Sequence, residues 1–150
     1  MALSEMLRIA GAGPLVFFTF CPQRLSAFWL YRYFPTMLAD ARSCFNSAER
    51  TAEEMERWSG RSATLHWFPL PFDLADWFAA AGWCRPELYL DAHVRQGISS
   101  FARVPLPELD FGLRRLASDL ADGSWEREFG NLRDRKELDT GYVFIHLAAA

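Results

Sequence analysis

Two carboxylates three residues apart, Asp73 and Asp76, are the most chemically suggestive pair in the chain. They lie in PFDLADWFAAAGWCRPELYLDAHVRQGISSF, residues 71–101. At the mouth of a pocket they could hold a polar substrate group or remove a proton. A second reading makes Asp73 the cap of a helix running to Ala81, with Asp76 in its first turn, where the helix dipole favours an acid. The imidazole bases are His66, His93 and His146. They stand far apart, two in strand-like runs, with no carboxylate at ligand spacing, so no metal site is expected. Cys21, Cys44 and Cys84 are odd in number and form no CxxC. Reduced thiols and a cytoplasmic location are expected. Cys21 has no neighbouring His or Lys to activate it. Ser99, Ser100 and Ser118 read as helical and lack a G-x-S-x-G turn.

Aromatic residues make up 15% of the chain, with thirteen Phe and six Trp. Trp29, Tyr31 and Tyr33 follow the first strand-like run. Ligands in open α/β sheets bind outside the carboxyl ends of strands, so these rings could line an acceptor site or pack in the core. Trp77 and Trp83 pose the same choice.

The elements that position these residues read as helix, strand, helices, strand, helices, strand, an α/β layered pattern. Leu3–Ala10 has an apolar helical face stopped by Gly11 and Gly13. LVFFTF, Leu15–Phe20, is a continuous apolar run and reads as an interior parallel strand buried on both faces. A helix is expected over 25–34, ending before Pro35; 36–44 is ambiguous. Asn46 or Ser47 caps a helix to about Trp58, with Glu49 as capping-box partner to Asn46 and Gly60 as the stop. A second strand covers Thr64–Phe68. Pro86 opens a short helix and Asp91 caps another. Leu109, Leu113, Leu116 and Leu120 share one face of an amphipathic helix, with Asp110/Arg114 and Arg115/Asp119 outside. Residues 124–138 read as irregular, and Gly141–Leu147 as the last strand.

The net charge of −3 and the scattered basic residues exclude a nucleic-acid footprint. The longest strongly apolar stretch, Pro14–Cys21, is too short to span a bilayer, and the first residues lack the cationic region of a signal peptide. No nucleic-acid or membrane partner is expected.

From about Leu3 onward the chain resembles the C-terminal half of a class I S-adenosylmethionine-dependent methyltransferase of the bacterial small-molecule type. LSEMLRIAGAG and LVFFTFCP resemble the helix, turn and strand at that family's fifth strand. FWLYRYFP resembles the segment after it. Residues 71–101 resemble the pattern PHDCxDGFxxAxWxRPExYLDxxVRxxIS. GSWEREFGNLRDRKELDTGYVFIHL resembles the closing G-x-W, D-x-GY and last strand. The resemblance implies a single domain, 1–150: a partial Rossmann-like sheet of about three strands, the last antiparallel, with a helical substrate-side insertion. It places Trp29, Tyr33, Phe72, Asp73, Asp76 and Trp77 on the acceptor side. It implies S-adenosylmethionine as cofactor and a small-molecule acceptor. The family's GxGxG turn and ribose-binding acid have no counterpart here, so the N-terminal cofactor-binding half is expected to be absent and the chain to be inactive alone. Its partner would be that missing half or a second copy; a non-catalytic binding or dimerising module is the alternative. Phe72, Leu74 and Trp77 replace the family's His, Cys and Gly.

Overall fold

The computed structural model describes residues 2–25 and 28–150, the side chain of Ala2 apart. Three strands form the main sheet: β1 (Leu15–Phe20), β2 (Ala63–Trp67) and β5 (Tyr142–Leu147). β5 is central and antiparallel to both neighbours, in the order β1-β5-β2. β1 and β2 therefore run parallel to each other without touching. The expected antiparallel last strand is present.

Helix α4 (Ala48–Ser59) packs on β2 and β5, and α1 (Ala2–Ala10) lies against β1. Beneath α4, Val143, Cys21 and Ala48 are buried and Leu65 and Trp67 pack against them. The opposite sheet face carries Val16 and Phe18 of β1, Thr64 and His66 of β2, and Phe144 and His146 of β5, as the register requires. That face is open. Val16 is 60% and Phe18 48% exposed. β1 is thus at the edge of this sheet among the described residues, with one covered face; the expected burial of both its faces is corrected. Its run looked doubly buried because its outward residues are also apolar.

Ser47 caps α4 by accepting the Arg50 N–H, and Gly60 ends the helix in the left-handed region. Arg50 therefore stands at the third helical position, which leaves Glu49 one residue short of the expected capping-box role. Leu25 ends a four-residue helix, α2 (Pro22–Leu25), and a 3-10 turn covers Trp29–Arg32. The part of the expected 25–34 helix at Ser26 and Ala27 lies outside the described residues. Pro35 does not end a helix but opens α3 (Pro35–Cys44). Its missing N–H and fixed φ suit a first helical position.

The expected helix from Asp73 to Ala81 is not formed; residues 72–84 are turns. Side chains from elsewhere take the backbone groups a helix would have paired. Arg85 donates to the carbonyls of Leu74 and Ala81. The Tyr89 hydroxyl accepts the Gly82 N–H and donates to Ala79 O. Trp83, within the segment, reaches back outside it and donates its indole N–H to Leu70 O. After this segment come a 3-10 turn from Pro86 to Leu90 and α5 (Ala92–Gln96), capped by Asp91 as expected.

Helix α6 (Leu106–Ala121) follows its sequence pattern. Leu116 is fully buried, Leu109, Leu113 and Leu120 pack beside it, and Asp110–Arg114 and Arg115–Asp119 pair outside. Gly112 lets α6 approach the 3-10 segment closely: a Cβ there would lie 2.6 Å from Tyr33 O and against the Phe34 ring. Residues 124–138 are not irregular. They form α7 (Ser124–Phe129), a 3-10 turn and β4 (Glu137–Leu138), which pairs with β3 (Leu70–Pro71). Trp125 anchors this segment in the core. Gly141, at φ 83°, turns the chain into β5, where a Cβ would stand 2.9 Å from Cys21 O. Among the described residues no helix is long and apolar enough to cross a membrane.

Candidate functional site

A cavity of about 470 Å³ opens at the carboxyl end of β1, between the sheet and the helical segments. Phe18, Thr19 and Phe20 supply its floor, and Tyr142, at the start of β5, stands beside them. Met37, Asp40, Ala41 and Phe45 come from α3 and its end; Asp76, Phe78 and Ala79 come from the turn segment; Gly97–Ser100 and Arg103 close the far side. Phe20 lies 4.4 Å from Phe45 and 5.8 Å from Tyr142, whose ring stands 4.8 Å from Phe78, all between centroids. The wall is thus a continuous run of rings. Three charged groups face the space. Asp40 and Arg103 are ion-paired at 2.6 Å. Asp76 makes no ion pair among the described residues and accepts only the Trp77 N–H.

Of the six acceptor-side candidates, only Asp76 lines this cavity. Asp73 and Phe72 are exposed on the adjoining turn, and Trp77 lies half-buried under the Arg85 guanidinium. Trp29 and Tyr33 are core residues. Trp29 donates its indole N–H to Trp83 O at 2.7 Å, and the Tyr33 hydroxyl donates to Asp119 at 2.7 Å. Tyr31, on the other face of the same turn, reaches the cavity instead. The expected helical Ser99 and Ser100 sit in a turn, and the Ser100 hydroxyl is buried without a partner.

His66 and His146 face each other on the open sheet face, with ring centroids 6.4 Å apart. No group of metal-binding side chains forms among the described residues. All three cysteines are free. Burial pushes the Cys84 thiol up, away from the reactive thiolate.

The glycine turn at 11–13 does not fit an anion cradle. It sits at the amino end of β1, remote from the cavity, and Arg61 donates to the carbonyls of Gly11 and Gly13. Among the described residues no strand passes through a glycine turn into an α-helix, the arrangement that aims backbone N–H groups at a phosphate or carboxylate.

All four tyrosines hold their protons above the ordinary phenol value. Burial is the main cause at Tyr31, Tyr33, Tyr89 and Tyr142, and Asp119 adds to it at Tyr33. The neutral phenol is therefore favoured by the fold. The corresponding stability is fully present below about pH 10, the unfolded value, and is lost as pH rises through the higher folded values. Alkaline titration should then show tyrosinate absorbance rising in one cooperative step together with loss of circular dichroism. Independent ionisation near pH 10 in a folded chain would contradict this.

Sheet, covering helices and cavity define a partial α/β methyltransferase-like fold. The chain superposes on the crystal structure of a provisionally assigned methyltransferase from an antibiotic biosynthesis pathway of Anabaena variabilis ATCC 29413, with 40% identity and a TM-score of 0.93. The match covers 98% of this chain and 59% of that one, so the chain spans less than two thirds of that protein's length. No family model and no curated protein matches the chain.

Proposed function

We propose that the chain is the acceptor-side part of an S-adenosylmethionine-dependent methyltransferase acting on a small molecule, and that donor binding requires a further polypeptide segment. The similarity over nearly the whole chain to the Anabaena methyltransferase structure carries this reading. The cavity at the carboxyl end of β1 suits an acceptor. Methyl transfer from a sulfonium needs donor and acceptor held in line and a proton removed, with little covalent help. Here the rings would position the acceptor and Asp76 would face its polar group. A second reading, a non-catalytic binding or dimerising module, draws on the open aromatic sheet face.

The test pairs this chain with the segment of the Anabaena protein that it does not span. Calorimetry should show no S-adenosylmethionine binding to the chain alone and binding to the pair. Micromolar binding by the chain alone would overturn the requirement for a further segment. A folded pair that binds no donor would overturn the methyltransferase reading.

A further inference from the structure

We infer that the cavity at the carboxyl end of β1 takes a small molecule with a flat hydrophobic body and a cationic amino group, the nitrogen lying between Asp76 and the aromatic wall. The inference rests on the methyltransferase reading only in calling this molecule the methyl acceptor.

The volume suits such a ligand; small-molecule sites run from roughly 300 to 1,000 Å³. Its wall favours a flat body. Phe20, Phe45, Phe78 and Tyr142 present a continuous run of rings. Ring faces carry negative charge and attract a cation at short range. The ionic balance points the same way. Asp40 and Arg103 neutralise one another, so the Asp76 carboxylate is the uncompensated charge on the lining. One of its oxygens accepts the Trp77 N–H, and the other has no partner among the described residues.

Hydroxyl groups supply the remaining argument. Tyr31 and Tyr142 are 8% and 9% exposed and present hydroxyl-bearing rings to the cavity. The Ser100 hydroxyl, on the same lining, is buried and unpartnered. Buried polar groups left unpaired cost free energy, which a ligand can recover. An ammonium offers donors and no acceptor, and so matches oxygens that can all accept. A carboxylate would meet Asp76 with like charge. A neutral alcohol could satisfy the hydroxyls but would leave Asp76 without a counter-charge.

Calorimetry on the chain should use three isosteric probes: naphthylmethylamine, naphthylmethanol and naphthoate. The amine should bind about tenfold more tightly than the alcohol, and naphthoate should not bind measurably. Asp76→Asn should erase the amine's advantage over the alcohol; Asp76 is exposed, so the fold should tolerate the change. Equal binding of amine and alcohol, binding of naphthoate, an advantage that survives Asp76→Asn, or no binding of any probe would each overturn the inference. The two readings fail separately. Amine binding in a completed assembly that transfers no methyl group would remove the methyltransferase and leave the amine site. Methyl transfer to a neutral acceptor, with no amine binding, would do the reverse.

Discussion

Trp29→Ala should lower the unfolding free energy by about 3–5 kcal/mol, a large part of the stability of a domain this size. Trp29 stands at the centre of the larger core. Its ring meets Trp125 at 5.4 Å, Tyr89 at 5.5 Å and Tyr33 at 6.0 Å, each edge to face. Such pairs contribute about 0.5–1.5 kcal/mol beyond burial. Truncation would leave a cavity among Trp125 of α7, Tyr89 of the 3-10 turn at 86–90 and Tyr33, just past the turn at 29–32, and these cannot all collapse into it. It would also orphan the Trp83 carbonyl, which accepts the Trp29 N–H. Trp29→Phe separates the two effects. It keeps most of the contact and loses the hydrogen bond, at about 1–3 kcal/mol. Urea unfolding followed by circular dichroism measures both. A loss below about 1.5 kcal/mol for the alanine variant, or an unchanged midpoint with weakened ligand binding, would return Trp29 to the acceptor wall.

What the sequence made legible depended on how local the determinants were. Helix α6 was readable because its leucines and its ion pairs repeat at helical spacing within one segment. The ends of α4 were readable because a serine and a glycine act there through their own backbone neighbourhoods. The turn segment at 72–84 was not. Its Asp and Ala residues favour a helix locally, but Arg85 and Tyr89 claim its backbone groups, and no local pattern signals that. β1 misled for a related reason. A continuous apolar run implies two covered faces only when something covers both, and one face of this sheet stays open. The site was the least legible part. Its lining is drawn from the end of β1, α2, the 29–32 turn, α3 and its end, the turn segment, residues 97–103 and the start of β5, with one or a few residues from each. Asp76 could be picked out as a carboxylate in a segment of recognisable ancestry. Phe45, Phe78 and Tyr142 could not, because an aromatic residue beside a strand or helix end looks the same whether it faces a cavity or the core.

The open sheet face sets the remaining large effect: the chain should self-associate at micromolar concentration, and Val16→Lys should make it monomeric. Phe18 stands 4.7 Å from Phe144 and 6.0 Å from Phe68, so the exposed face is a contiguous aromatic patch rather than scattered side chains. Patches of this kind mark interaction surfaces. β1 adds a second adhesive feature. It pairs with β5 on one side, and no strand among the described residues pairs with its other side. An uncharged, apolar edge invites another strand, and natural proteins often blunt such edges with lysine. Val16 combines both features, since it belongs to the edge strand and points out of the open face. A lysine there keeps its charge in water and disturbs no buried contact, so the fold should survive with a stability change within about 0.5 kcal/mol. Sedimentation velocity should show oligomers for the parent chain and one slow species for the variant, with matching circular dichroism. A parent chain that is already monomeric, or a variant that still assembles, would mean that the patch attracts neither a second copy nor, by the same physics, the segment proposed to complete the enzyme.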